Sequence, residues 1–335
     1  MADYARVGKD SYKLSKEQRI SAKKVAIGHL VACYFHTVAF LTWLVVGLIA
    51  IYSDPEDGST ERSVLNITLE VDEETQLPSY DLFWTAVWVP LIAAVFHGLQ
   101  YATFVRLFER QKASSFKNPE FKGKGWGWYP FLIGTVLAAF LCLCLGTKKS
   151  TYAYSSIVYG INLIRWIEYS ISASFVTWNV VVLSGISNVW AALVIAVIGN
   201  IFLQVTGFFA ETNLSEAYQK NKQSDRVDTA REAGSWLWFI IGSLVFIAQW
   251  IPIIIVFYIN VGEAGADVPD FVFALIWIIF GLYLAFPIVM IAFYCLNWNM
   301  FKDKACYSIS FIVLSFISKA ALDAIIIIGA ISERE

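Results

Sequence analysis

The sequence predicts an all-α membrane protein, a bundle of seven transmembrane helices with a cytoplasmic N-terminus and an extracellular C-terminus. The first observation is composition: 58% of the 335 residues are hydrophobic, only 16% are charged, and the mean hydropathy is +0.59. The second is a series of apolar runs, each about as long as the roughly 20 residues that a helix needs to cross a bilayer. The third is the distribution of Lys and Arg, which assigns the two sides of the membrane.

Eight apolar runs are candidates for transmembrane helices. They fall near residues 25–51, 81–108, 127–147, 153–182, 187–210, 233–260, 269–299 and 306–331. No short apolar stretch with a small-residue cleavage site precedes the first run, so we interpret that run as a signal anchor.

The positive-inside rule distinguishes a topology of seven spans from one of eight. If residues 127–147 do not span, 21 of the 25 Lys and Arg residues face the cytoplasm and only Arg62 and Arg334 lie outside. If that segment spans, the later loops change sides and the split becomes 14 against 9. The charges therefore favour seven spans, with the extra segment between helices 2 and 3 re-entrant or lying in the interface. Its length leaves a true eighth span open.

Three segments flank or interrupt the predicted seven-helix domain, residues 25–331. Residues 1–24 are basic and form a predicted cytoplasmic tail. Residues 52–80 form a long acidic loop on the predicted outside, and its middle alternates apolar and polar residues, so we expect a β-hairpin there. Residues 109–152 form an insertion that contains the extra apolar segment.

Two sequence motifs fit N-glycosylation. Asn66-Ile67-Thr68 lies in the predicted exterior loop, and Asn213-Leu214-Ser215 lies on the predicted inside. Only the first is therefore expected to be usable, and only in a eukaryotic secretory route.

The cysteines indicate neither a disulfide framework nor a metal site. All five lie in or beside apolar runs, and none lies in the long exterior loop. We expect structural roles for these residues: Cys33, Cys142, Cys144, Cys295 and Cys306. We also expect no metal, no enzymatic activity and no nucleic-acid partner.

Five ionisable side chains converge near the middle of the predicted membrane. They are His36, His97, Arg165, Glu168 and Lys319, from four different helices. At 1.5 Å per residue they lie roughly 17 to 23 Å from the cytoplasmic ends of their helices. Charged groups at such depth are costly in lipid, so they usually face the bundle interior and carry function.

A purely structural interpretation remains open for each of these residues. Arg165 could pair with Glu168, and Lys319 could pair with Asp323 one turn further along its helix. The histidines could be neutral, hydrogen-bonded core residues. The tryptophans could serve packing and interface anchoring, and Asn200 could hydrogen-bond between helices.

Short motifs around these residues resemble the heliorhodopsins, retinal-binding relatives of microbial rhodopsins with inverted topology. The similar segments are YFHTVAF around His36, AVFHGLQ around His97, RWIEYSISAS at 165–174, IGNIFL around Asn200, VPDFVF opening helix six and IVLSFISKAAL around Lys319. Ser315 also stands four residues before the lysine, where ordinary pumps have aspartate. The resemblance covers about residues 25–331 except the insertion, and it agrees with the orientation that the charges favour.

The resemblance implies a rhodopsin-like bundle with all-trans retinal joined to Lys319 as a protonated Schiff base. Glu168 would be its single carboxylate counterion, since a cation in a low-dielectric pocket needs an anion close by. Arg165 would help to keep Glu168 ionised, and Ser315 would be a neutral hydrogen-bond partner.

Other residues gain expected roles from the same resemblance. His36 and His97 would form the polar cluster that takes up the released proton. The remaining pocket residues would be Trp166, Tyr169, Ser172, Asn200, Trp250 and Tyr283.

The function that the resemblance implies is light sensing, with a slow photocycle that signals through a cytoplasmic partner rather than pumping ions. The protein would be a homodimer in lipid, in the plasma membrane or another cellular membrane. Light-gated proton or cation conductance is an alternative, because Asp323 occupies a position that is usually apolar in the family. It could be a second counterion or part of an ion path. A further alternative is a solute transporter or receptor stabilised by buried ion pairs.

Overall fold

The computed structural model describes most of the predicted bundle. The described residues are 14–52, 66–67, 80–112, 149–223, 236–264, 268, 270–294 and 304–332. The extra apolar segment at 127–147 lies outside these residues, as do residues 1–13 of the predicted tail. Three of the five cysteines, Cys142, Cys144 and Cys295, also lie outside them.

The described chain is helical apart from short turns and one pair of strands. The helices are α1 (Lys16–Tyr52), α2 (Leu82–Lys112), α3 (Lys149–Val158), α4 (Leu163–Leu183), α5 (Val189–Ala192), α6 (Gly199–Gln223), α7 (Leu237–Ala264), α8 (Asp270–Tyr294) and α9 (Lys304–Ser332). A π-helical segment, Leu193–Ile198, joins α5 to α6 without a break. In the loop where a hairpin is expected, β1 (Asn66–Ile67) pairs antiparallel with β2 (Tyr80–Asp81).

Six helical stretches of the described chain are long and apolar enough to cross a membrane. They are Lys16–Val46, Val87–Phe108, Val189–Ser215, Leu237–Gly262, Asp270–Tyr294 and Ala305–Ile327. The 21-residue helix α4 carries Arg165 and Glu168 and packs against α2 and α6. The predicted all-α membrane fold is therefore confirmed, whereas seven spans and their orientation remain predictions.

The helix predicted over residues 153–182 is interrupted in the structure. It divides into α3, which ends at Val158, and α4, which begins at Leu163. Gly160 adopts a φ of +79° in the turn, a conformation that glycine reaches without steric cost. Asn162 then caps α4, because its side-chain oxygen accepts a hydrogen bond from the backbone N–H of Arg165 at 3.2 Å. The prediction of one continuous helix here is wrong.

Helix α1 begins nine residues before the predicted span. Ser15 and Gln18 form a reciprocal capping box, with Ser15 Oγ accepting from the Gln18 N–H at 3.2 Å and Gln18 Oε1 accepting from the Ser15 N–H at 2.9 Å. Leu14 and Ala22 are buried in a cluster that includes residues of α2 and α3. Residues 14–24 are thus part of the packed bundle.

Two apolar clusters lie above and below the middle of α9. One contains Tyr307 and Phe311 from its N-terminal half, and the other contains Leu322 and Ile326 from its C-terminal half. Lys319 lies between these positions along the helix. The buried amine is therefore held at a fixed height between two packed regions.

Candidate functional site

Lys319 is buried in the bundle and makes two hydrogen bonds. Its Nζ donates to Glu168 Oε1 at 2.8 Å and to Ser315 Oγ at 2.6 Å. Ser315 lies four residues earlier on α9, so both side chains share one face of the helix. The lysine is 3% exposed and the glutamate is fully buried. A charged pair at this depth, joined across two helices, is the contact that the resemblance implies.

Glu168 has a second link to the protein through two amides. Gln100 Nε2 on α2 donates to Glu168 Oε2 at 3.4 Å. Asn162 Nδ2 donates in turn to Gln100 Oε1 at 2.6 Å. The counterion candidate is thus connected to the cap of α4, and neither amide was singled out from the sequence.

Arg165 does not pair with Glu168 as the structural interpretation of the sequence proposed. Its guanidinium Nη2 donates to Glu211 Oε1 on α6, and both residues are buried. The Glu211 carboxylate also accepts from Trp166 Nε1 at 2.7 Å and from the Tyr307 hydroxyl at 2.7 Å. The pairing of Arg165 with Glu168 is therefore wrong, whereas its expected help in keeping Glu168 ionised stays a prediction. A lone acid at the end of an apolar run was the sequence signal for Glu211.

Aromatic rings surround the Arg165 guanidinium. Its carbon lies 4.0 Å from the Phe311 ring centroid and 5.5 Å from the centroids of Trp166 and Tyr307. Such cation–π contacts are strongest where water is excluded. Arg165 lies three residues before Glu168 on α4, and Tyr307 and Phe311 lie before Lys319 on α9. The two buried ion pairs are therefore neighbours along the same helices.

We expect Glu211→Leu to destabilise the protein by about 3–5 kcal/mol, because it leaves a buried guanidinium without its anion. The double variant Arg165→Leu, Glu211→Leu removes both charges and should recover part of that loss. Thermal unfolding in detergent of the wild type and the two variants measures both effects. A single variant as stable as the wild type would show that the ion pair contributes nothing.

Three histidines, rather than two, meet between α1 and α2. The rings of His36 and His97 stack with centroids 5.4 Å apart and planes at 10°. His29 on α1 is the third, and its Nδ1 lies 3.0 Å from His97 Nδ1. The three rings are buried, and none of their Nε2 atoms has a hydrogen-bond partner within the described residues. The predicted role of His36 and His97 in proton uptake stays a prediction, and the structure adds His29 to their cluster.

A cavity of about 410 Å³ has Lys319 among its lining residues. The residues of the predicted pocket that line it are Trp166, Tyr169, Ser172, Trp250, Tyr283 and Ser315. Gly207 also lines it, and a Cβ there would come within 2.4 Å of the Trp166 ring, so only glycine fits. Along α7 the lining includes Ile247 and Ile251, each about half exposed, so the cavity reaches the outer surface of the bundle.

Asn200, like the predicted site residues Arg165 and Glu168, is not among the residues that line the cavity. Its Nδ2 donates to the Tyr169 carbonyl at 3.2 Å and to Ser174 Oγ at 3.1 Å. These bonds join α6 to α4, as the alternative interpretation proposed. Contact of Asn200 with retinal stays a prediction, and its hydrogen bond to the Tyr169 carbonyl links it to a residue that lines the cavity.

Asp323 is buried one turn from Lys319 but does not receive a hydrogen bond from it. Both Lys319 hydrogen bonds go elsewhere, to Glu168 and Ser315. The Oδ1 atom of Asp323 has no hydrogen-bond partner among the described residues. The predicted structural ion pair between Lys319 and Asp323 is therefore wrong.

One comparison with known proteins identifies a family for this chain. The family model described as Heliorhodopsin matches residues 91–331, more than two thirds of the chain. The matched range includes Glu168, Glu211 and Lys319. No curated protein matches the chain. The chain therefore belongs to the heliorhodopsin family, and it is an integral membrane protein that crosses the membrane several times.

Proposed function

We propose that this protein is a light-sensing retinal protein that holds all-trans retinal on Lys319, with Glu168 as the counterion. The observation that carries the proposal is the buried Lys319–Glu168 pair, with Nζ and Oε1 2.8 Å apart, whose lysine lines the cavity. A photoreceptor role rather than an enzymatic one follows from the family.

The residues present fit such a chromophore. The cavity of about 410 Å³ lies within the ~300–1,000 Å³ range of small-molecule sites. Its lining is mainly aromatic and aliphatic, which suits a polyene, and the single lysine amine within it can condense with an aldehyde. Bound retinal would supply absorption of visible light and a light-driven isomerisation.

The chain's own groups would hold a positive charge at the Lys319 nitrogen. Glu168 provides the compensating negative charge, and the Gln100 amide donates to its second oxygen, which keeps the carboxylate oriented. Ser315 Oγ, 2.6 Å from Nζ, adds a neutral partner without adding charge. Removal of water from this buried site makes each of these contacts stronger than it would be in solution.

The histidine cluster is the proposed acceptor of the proton that Lys319 releases after illumination. His36 and His97 carried this role in the sequence analysis, and the 3.0 Å contact to His29 extends the cluster toward the N-terminal end of α1. A proton stored there changes the charge of the α1–α2 interface. That change offers a signal to a cytoplasmic partner without ion transport.

Light-gated proton or cation conductance is the second candidate function, and the buried Asp323, whose Oδ1 has no hydrogen-bond partner among the described residues, favours it. Two measurements separate the candidates. Retinal added to membranes that contain the protein should produce a visible band, and absence of the band would leave a transporter or receptor role. Patch-clamp recording under light then distinguishes a sensor, which gives no steady current, from a conductor.

The proposed architecture has seven spans, with α4 as the third, an inside N-terminus and an outside C-terminus. Residues 25–331 form the retinal-binding domain, interrupted by the insertion at 109–152, whose apolar segment re-enters the membrane or lies in its interface. The chain is further proposed to form a homodimer.

The two glycosylation motifs test this orientation within one chain. In eukaryotic cells we expect a glycan at Asn66, which is lost in Thr68→Ala. Asn213 should carry none, because its motif lies inside and the buried Ser215 hydroxyl donates to the Tyr159 carbonyl. Gel mobility before and after glycosidase treatment measures the modification, with Ser215→Ala as the matched control. A glycan on Asn213 instead of Asn66 would reverse the orientation.

A further inference from the structure

Asp323 is the one buried carboxylate of the membrane core for which the structure provides no cation as a hydrogen-bond partner among the described residues. It is 1% exposed, and its Oδ1 accepts no hydrogen bond there. Glu168 and Glu211, by contrast, are joined to Lys319 and Arg165. Asp323, like Glu168, is not among the residues that line the cavity, whereas Lys319 is.

The protonation state of Asp323 follows from the cost of burying an ionised carboxylate whose Oδ1 has no hydrogen-bond partner among the described residues. An ionised carboxylate that is neither paired nor hydrogen-bonded is very costly in a low-dielectric interior, whereas the neutral acid is not. Its neighbours along α9 are apolar: Leu322 precedes it, Ile326 follows three residues later, and both are buried. Further along α9, the Phe271 ring fills the space at Gly329. Asp323 is thus a carboxylic acid that retains its proton in the resting protein.

The titratable groups around Asp323 leave one reaction partner. Helix α9 packs against α1, α2 and α8, which carry His36, His97 and Tyr283. Glu168 on α4 accepts a hydrogen bond from Lys319, and the charged side chain that acts on Asp323 is that of Lys319. The two residues are four apart on α9, so their Cβ atoms are about 5–6 Å apart on one helix face. At that separation a proton can pass directly or through one water molecule.

The titratable groups on the proposed inner and outer sides of Lys319 are also different. The histidine cluster lies toward the N-terminal end of α1, which is the inside in the proposed orientation. Asp323 lies one turn toward the C-terminal end of α9, roughly 13 Å from that end at 1.5 Å per residue. One proton acceptor and one proton donor therefore flank the same nitrogen from opposite sides.

We propose that Asp323 is the internal proton donor that restores the proton of the Lys319 nitrogen after illumination, an inference that rests on the proposed function. The N–H bond of Lys319 first breaks and its proton passes to the histidine cluster. The O–H bond of Asp323 then breaks, a new N–H bond forms at Lys319, and Asp323 becomes a carboxylate. A proton from exterior water refills it. One proton moves inward in each cycle in which the histidines release theirs to the cytoplasm.

The first test needs no retinal. Infrared spectra of the retinal-free protein at neutral pH should contain the C=O band of a protonated carboxylic acid that shifts in D₂O. We expect this band to be missing from Asp323→Asn and to remain in Glu168→Gln, the matched control. Absence of the band from the wild type, or its persistence in Asp323→Asn, would overturn the proposal.

The second test measures the donor step in the retinal-bound protein by flash photolysis. In Asp323→Asn, recovery of the protonated pigment should slow by roughly 100-fold or more, as loss of a general acid predicts. Its rate should then rise with external proton concentration, and azide, a small permeant weak acid, should restore it. Asp323→Glu should keep most of the wild-type rate of recovery.

The outcomes separate the two proposals. A wild-type protein that forms no visible band refutes the proposed function. A normal pigment whose recovery is equally fast in Asp323→Asn refutes the donor role alone. A purely structural role for Asp323 predicts no rescue by azide.

Discussion

Replacing Lys319 by alanine should abolish the visible band completely, because no other amine lines the described part of the cavity. The wild type mixed with all-trans retinal should absorb in the visible range, and the variant should show only the spectrum of free retinal. Absorption spectra of purified protein, recorded in parallel, measure the effect. A visible band that survives in the variant would place the chromophore elsewhere.

Loss of the lysine also leaves Glu168 as a buried, unpaired carboxylate, which costs about 3–5 kcal/mol when one partner of a buried pair is removed. A failure to fold could therefore imitate a failure to bind. The double variant Lys319→Ala, Glu168→Gln removes both charges and provides the folded control. It should be more stable than Lys319→Ala and equally colourless.

Replacing Glu168 by glutamine should have the second largest effect on the pigment. The carboxylate lies 2.8 Å from the Lys319 nitrogen. At an effective dielectric constant of ~20, an anion at that distance stabilises a positive charge by an energy on the order of several kcal/mol. Without it, the positive charge on the nitrogen is less stable in the ground state. The band should therefore move to longer wavelength, or the nitrogen should lose its proton and the visible band should disappear. A series of spectra from acid to alkaline pH distinguishes these two results.

Glu211→Gln is the matched control for that experiment. It removes a second buried carboxylate of the same chemistry, but one that contacts Arg165, Trp166 and Tyr307 rather than Lys319. We expect its spectrum to lie close to that of the wild type. An unchanged spectrum in Glu168→Gln, or an equal shift in both variants, would remove Glu168 from the counterion role.

The two candidate functions use the same central pair and differ in what lies on either side of it. A sensor needs an acceptor that stores a proton, and the buried histidines are the proposed acceptor. Conduction needs, in addition, a group that replaces the proton from the other side, and Asp323 is the proposed donor. The kinetics of Asp323→Asn therefore bear on function as well as on mechanism.

The sequence by itself determined the features that depend on local composition. The lengths of the apolar runs predicted transmembrane helices, and six helices of that length occur in the described chain. The motifs around Glu168 and Lys319 predicted the family. Depth along the helices also brought these two residues together correctly, although the helix on which Glu168 lies begins at Leu163 rather than near residue 153. A single charge in an apolar run is visible in any sequence because its cost in lipid is so large.

Tertiary structure alone decided which polar groups meet. Arg165 has Glu168 one turn away on its own helix, yet it pairs with Glu211, 46 residues distant. His29 joins His97 across 68 residues, and Asn200 bonds to α4 instead of lining the cavity. The periodicity of a helix defines its faces, but the neighbour of each face is set by how all the helices pack together. Partner choice among buried charges is a property of that packing, and so only the assembled bundle could show it.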